Sequence, residues 1–157
     1  MKQIKKFNNI RFKKALSKFA TGITIITINY NDKFYGKTVN SFASLSLNPP
    51  LVLFSIDKKS SSLKSFLNSN YIGINFLSNK QKKLSQLFSN KKNLWRNTKY
   101  FLTKEKIPMI NNSVVNFSSK KYKTLPNGDH IIFICKIIDI KINESAKPLI
   151  YLNSKYF

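Results

Sequence analysis

Between Thr38 and Ser46 the chain carries Thr38, Asn40, Ser41, Ser44 and Ser46, five hydroxyl or amide side chains with no charge among them. The run closes at Asn48-Pro49-Pro50, where two prolines remove two backbone donors and stiffen the chain into a turn. A turn needs one or two such residues. The surplus makes a surface rich in hydrogen-bonding groups and free of charge, which suits a flat heteroaromatic ligand with ring nitrogens and carbonyls. A hydrogen-bonded turn with no ligand is the plainer alternative. Three further positions carry chemistry. Asp57-Lys58-Lys59-Ser60-Ser61-Ser62 places hydroxyls and a lysine at an expected helix start, a pocket for an anion, although Ser60 would serve equally as a helix cap. Asn75 interrupts an apolar strand, where an amide needs a partner: a ligand carbonyl or a neighbouring strand's backbone. His130, the single histidine, follows Gly128-Asp129 and in isolation is a turn residue.

Most other chemistries are excluded. The four glycines, Gly22, Gly36, Gly73 and Gly128, are too far apart for a dinucleotide or nucleoside-triphosphate phosphate loop. The six acids, Asp32, Asp57, Glu105, Asp129, Asp139 and Glu144, are scattered and suggest neither a glycosidase pair nor a metal-dependent hydrolase. No serine sits in a Gly-x-Ser-x-Gly elbow to work with His130. One cysteine, Cys135, rules out an intramolecular disulfide, and with one histidine no Cys/His zinc cage can form.

A formal charge of +22 invites a nucleic-acid reading. The lysines are dispersed, however, beside abundant Asn and Ile, the trio that an adenine- and thymine-rich coding sequence favours. No basic helix carries interleaved stacking aromatics, so nucleic acid is not expected as the primary partner. The positive field would still concentrate anionic small molecules. No apolar run approaches the ~20 residues of a membrane span. The basic start is followed by Arg11, Lys13, Lys14 and Lys18, which break any secretory core, so a cytoplasmic protein is expected. The enzyme class left standing is one in which a bound cofactor does the chemistry and the protein orients it.

The elements that must position these residues are legible in part. Residues 9–19 repeat apolar side chains at helical spacing (Ile10, Phe12, Ala15, Leu16, Phe19), with Asn8 or Asn9 as cap. Residues 21–29 are β-branched almost throughout and read as a strand, returning through a turn at 29–33 to a hairpin partner at 34–40. Strands are expected at 51–56 and 71–77, and helices at 60–68, capped by Ser60, and 79–88. Residues 89–106 read as a mobile loop around Trp95. Two longer strands, 113–123 and 130–143, flank a turn-rich link at 125–129, and 148–151 is a last short strand. With no repeat or linker, residues 1–157 read as one β-rich domain built on an antiparallel sheet or barrel.

The chain resembles the flavin reductase-like proteins, whose fold is an FMN-binding split β-barrel. The likeness lies in residues 12–27, in Thr38-Val39-Asn40-Ser41-Phe42-Ala43-Ser44-Leu45-Ser46 through Pro49-Pro50-Leu51-Val52, and then in residues 57–61, 74–77, 128–130 and 148–151 in order. It implies a mainly β, six-stranded antiparallel split barrel of Greek-key type with a few short peripheral helices. It implies an NAD(P)H-dependent reductase that passes hydride from NADH or NADPH to FMN, or FAD, and supplies reduced flavin to a monooxygenase partner. A homodimer is implied too. By the same resemblance Thr38, Val39, Asn40, Ser41, Ser44 and Ser46 hold the isoalloxazine edge, with Ser55, Ile56 and Asn75 nearby. Asp57, Lys59, Ser60 and Ser61 hold the phosphate. His130 orients the nicotinamide, and Tyr151 and Asn153 line the same pocket. Two departures stand out. Ser118 and Ser119 replace an acid and a cysteine found two residues apart in many relatives, and the Trp95 region matches poorly. Two other readings stay open: a flavin-binding protein that reduces another acceptor or does not turn over, and a basic nucleic-acid binder.

Overall fold

The structure, a computed structural model, describes residues 7–90 and 95–157. In chain order it contains helix α1 (Asn9–Leu16), strands β1 (Thr21–Gly22), β2 (Thr24–Tyr30), β3 (Lys33–Val39), β4 (Ala43–Ser46) and β5 (Leu51–Asp57), then helix α2 (Leu63–Asn68) and β6 (Tyr71–Phe76). A 3-10 turn (Asn79–Gln81) leads into α3 (Lys82–Ser89). The chain ends with β7 (Tyr100–Leu102), β8 (Pro108–Ile110), β9 (Val115–Asn127), β10 (His130–Ile142), β11 (Ile150–Leu152) and β12 (Lys155–Tyr156).

The fold is mainly β and antiparallel. Its main sheet runs β3-β2-β6-β9-β10-β5-β4, seven strands where six were expected. The addition is β4, a strand for which the sequence pattern gives no expectation. It pairs Ala43 with Leu53 and Ser44 with Val52, then bulges before Ser46 meets Leu51. Small sheets β1-β11-β12 and β7-β8 complete the set.

Burial follows the strand pattern. In β5, Val52, Phe54 and Ile56 point inward at every second position, and β2 buries Ile25, Ile26 and Ile28 because both its faces are covered. One core cluster joins Ile26, Ile28, Phe54, Ile56, Phe66, Ile72, Ile74 and Phe133. A second gathers Ile23, Ile25, Leu77, Phe88, Ile110 and Leu149. Asn8 caps α1 by accepting a hydrogen bond from the Arg11 N–H at 3.0 Å, as expected. The apolar face of that helix was expected to pack inward, yet no residue of α1 is buried. Residues 91–94 of the expected loop lie outside the described residues. The described remainder is ordered by packing: Trp95 meets Phe34, Phe88 and Tyr100 edge-to-face, and β7 and β8 form a hairpin.

Candidate functional site

Two strand edges face each other where their ladders stop. β3 lies at one margin of the sheet, so its outer N–H and C=O groups have no strand partner. Near the other margin β4 covers only Leu51 to Leu53 of β5, which leaves Ser55 to Asp57 open on that side. The sheet curls until these edges meet. Ser41 Oγ accepts a hydrogen bond from the Ser55 N–H (3.0 Å) and donates to the Ser55 carbonyl (3.3 Å). The cleft along this seam, about 160 Å³, is lined by Lys37, Thr38, Val39, Asn40, Ser41, Ser55, Ile56, Asp57 and His130. Every predicted residue of the 38–41 and 55–57 segments is therefore brought together with the histidine.

A second cleft of about 150 Å³ adjoins the first at Lys37, and Ser60, Ser61 and Ser62 line it opposite Gly36 and Phe88. Neither cleft alone reaches the ~300 Å³ of a typical ligand pocket; joined, they come close. Gly36 is required here by close approach, since a Cβ at that position would lie 2.3 Å from the Phe88 ring. Ser60 does not cap the helix. Its N–H bonds back to the Asp57 carbonyl at 2.9 Å, and α2 starts only at Leu63 with Ser62 as its cap residue. The Ser60 and Ser62 hydroxyls lie 3.2 Å apart. Asp57 Oδ1 accepts from the Lys59 N–H at 2.7 Å, so the carboxylate braces its own turn while the Lys59 side chain lines neither cleft.

His130 stands at the far end of the first cleft. It follows a two-residue hairpin loop whose first residue, Gly128, has φ +54°, a conformation that disfavours any side chain. His130 Nδ1 is 2.7 Å from Asp129 Oδ1. That hydrogen bond and the neighbouring imidazole hold the Asp129 carboxyl below the usual carboxylate range. An ionised carboxylate only accepts, so Nδ1 carries the proton and donates it to Asp129. With 42% of the His130 side chain exposed, the ring is accessible from the cleft.

Besides Lys59, five predicted site residues are placed elsewhere. Asn75 is fully buried, and protein atoms take up its hydrogen bonding. Its Nδ2 donates to the Ile25 carbonyl (2.8 Å) and Thr27 Oγ1 (3.2 Å), and its Oδ1 accepts from Ile110 N–H (2.9 Å) and Asn116 Nδ2 (2.8 Å). The Ile25 carbonyl is the neighbouring-strand backbone partner that the sequence offered as one alternative. Ser44 and Ser46 sit on β4, further along the same edge of β5 than the seam, and line neither cleft. Tyr151 pairs with Thr21 in the small sheet and packs edge-to-face on Tyr156, and Asn153 occupies the β11–β12 turn; both are outside the clefts. The departures Ser118 and Ser119 are buried in β9, where Ser119 Oγ donates to the Ile72 carbonyl at 2.7 Å, so they shape the core.

Sequence reasoning missed Lys37 and Asp129, whereas Ser62 lay within the anion-pocket segment already singled out. The alternation of β3, in phase with Tyr35 and Val39, was the available signal for Lys37, and adjacency to His130 was the signal for Asp129. Among the described residues no group of acids, histidine and cysteine could hold a metal ion. The donor set instead fits a flat, uncharged ring with an anionic tail. Neutral hydroxyl, amide and strand-edge groups line most of one cleft, beside Lys37, Asp57 and His130, and serines with Lys37 line part of the next.

Known proteins resemble the chain in sequence and in fold. PheA2, a flavin reductase solved in its native state, superposes with a TM-score of 0.89 at 35% identity, over 96% of this chain and 97% of its own. The FMN reductase (NADH) SmoA of Agrobacterium fabrum is 34% identical over 131 residues, 83% of this chain and 75% of the relative. The reductase component of the flavin-dependent trigonelline monooxygenase of Acinetobacter baylyi is 33% identical over 145 residues, of whose length this chain spans 45%. The flavin reductase like domain profile matches residues 16–157, from the end of α1 through both strand edges and His130 to the last residue. By sequence and by fold, the chain belongs to the flavin reductase-like family.

Proposed function

We propose that this chain is an NAD(P)H-dependent flavin reductase that passes hydride from a reduced nicotinamide to FMN, or FAD, held along the seam between β3 and β5. The observation that carries the reading is that seam: two unpaired strand edges, tied by Ser41, with uncharged groups between a histidine at one end and serine hydroxyls at the other. A bound flavin supplies a two-electron acceptor for the hydride. The free N–H groups of β3 stabilise negative charge on the pyrimidine side of the ring without having to reorganise. Thr38 donates its hydroxyl proton to the Ser85 carbonyl at 2.7 Å, which fixes the edge strand against α3. Asp129 orients His130 so that Nε2 can hydrogen-bond with the nicotinamide carboxamide. Holding the two rings in contact accounts for most of the acceleration.

In this reading the curled sheet is the family's split barrel: β3, β2, β6, β9, β10 and β5 form six staves, and β4 is an added edge. Residues 1–157 act as one cytoplasmic domain, and no helix among the described residues is long and apolar enough to cross a membrane. A homodimer is supported by the apolar side chains that α1 and its flank leave in solvent, Ile10, Phe12, Leu16 and Phe19, together with Leu47 at 95% exposure. A second copy would cover them and close the open side of the groove. The reduced flavin passes to a monooxygenase partner. NADH oxidation measured with and without added FMN or FAD tests the reading: turnover that requires flavin supports it, and no flavin-dependent turnover with NADH or NADPH overturns it.

A further inference from the structure

Among the described residues Lys37 is the only lysine that lines either cleft, and it lines both. Its direction follows from the alternation of β3. Gly36 abuts Phe88, and Thr38 bonds to Ser85, so these two residues face α3. Lys37 therefore stands on the opposite face with Tyr35 and Val39, both of which pack against the core cluster containing Ile56 of β5 and Phe66 of α2. Lys37 is half-buried, and among the described residues its ammonium forms neither a hydrogen bond nor an ion pair. The acid that lines the groove, Asp57, accepts the Lys59 N–H through Oδ1 and forms no ion pair with Lys37 among the described residues. A half-buried ammonium with no direct partner is placed to take an anion that enters the cleft.

We propose that Lys37 binds the phosphate borne by the flavin's ribityl chain, with Ser60, Ser61 and Ser62 across the second cleft, and so makes the groove select phosphorylated flavin over riboflavin. This rests on the flavin-reductase reading. It moves the cationic contact from Lys59, whose side chain lines neither cleft, to the strand edge that also holds the ring. The ring and the tail are thereby fixed by consecutive residues of one strand, Lys37 and Thr38. Charge-assisted bonds of this kind are worth about 10- to 100-fold in affinity.

The test is titration of the full chain with FMN, FAD and riboflavin, followed by quenching of flavin fluorescence. Wild type is expected to favour FMN and FAD over riboflavin. Lys37→Met should lower FMN affinity about 10- to 100-fold and leave riboflavin affinity within about twofold. Lys37→Arg should keep the preference, and Lys33→Met, on the same strand outside both clefts, should match wild type. Salt should weaken wild-type FMN binding and spare riboflavin binding. A Lys37→Met protein that keeps its FMN preference, or that loses both ligands equally, overturns the assignment while leaving the flavin reading intact. Equal wild-type affinity for FMN and riboflavin does the same. A wild-type protein that binds no flavin overturns both.

Discussion

The Ser41 hydroxyl spans the seam between two strand edges, accepting from the Ser55 N–H at 3.0 Å and donating to the Ser55 carbonyl at 3.3 Å. One small side chain thus replaces a ladder, holding β3 beside β5 while leaving the rest of both edges free for a ligand. Ser41→Ala removes both bonds and should cost about 1–2 kcal/mol of stability in urea unfolding. Flavin affinity should fall about tenfold in the same variant, because the spacing of the edges is no longer fixed.

The His130–Asp129 pair should act on the nicotinamide and not on the flavin. His130→Ala and Asp129→Asn should each lower kcat/KM for NADH by about 10- to 100-fold, with flavin affinity within about twofold. The carboxyl of Asp129 is depressed by the hydrogen bond from His130 and by the imidazole charge. Its contribution to stability is therefore present above the unfolded carboxylate value of about 3.9 and lost as pH falls through the lower folded value. Carbon-detected NMR titration should place the Asp129 midpoint below 3.9, and His130→Ala should return it to about 3.9.

The hydrogen bonds of Asn75 lie wholly within the core. Because its amide satisfies Ile25, Thr27, Ile110 and Asn116 inside the core, Asn75→Ala should destabilise the fold by about 3 kcal/mol or more. Flavin affinity measured below the unfolding transition should match wild type. A selective loss of flavin binding with unchanged stability would restore Asn75 to the ligand site.

The strands that carry the core were plain in the sequence because their residues are β-branched at the right period, as in β2, or alternate cleanly, as in β5. Polar residues in structural contacts are hard to tell from ligand groups in a sequence. Ser44 and Ser46 belong to an edge strand whose outward face needs no apolar pattern. Pro126 looked like a turn residue but lies in β9 opposite Ile131, so the hairpin narrows to Gly128 and Asp129. Ser60 looked like a cap, but its N–H closes a turn on Asp57 and the helix begins later. Nothing local reveals that residues 37–41 and 55–57 meet, because that requires the sheet to curl. Only the family resemblance joined them in advance.

Cys135 is fully enclosed, and burial pushes its thiol up to about 12, against smaller opposing effects of the Ser119 hydrogen bond and the Lys121 charge. A thiol with a raised folded pKa contributes stability that is intact below its unfolded value, about 8.5–9, and lost as pH climbs towards 12. It should resist a disulfide reagent in the native protein at about pH 8 and react at once in urea. The stability advantage of wild type over Cys135→Ala should shrink above about pH 9. Rapid labelling under native conditions would show the core around β9 and β10 to be open.

The most direct test of the account is anaerobic mixing of the flavin-loaded protein with NADH and, separately, NADPH. Hydride transfer along the β3–β5 seam predicts that the yellow absorbance bleaches within seconds with at least one of them and more slowly in His130→Ala. A flavin that stays yellow with both nucleotides would contradict the assignment of a reductase to this groove.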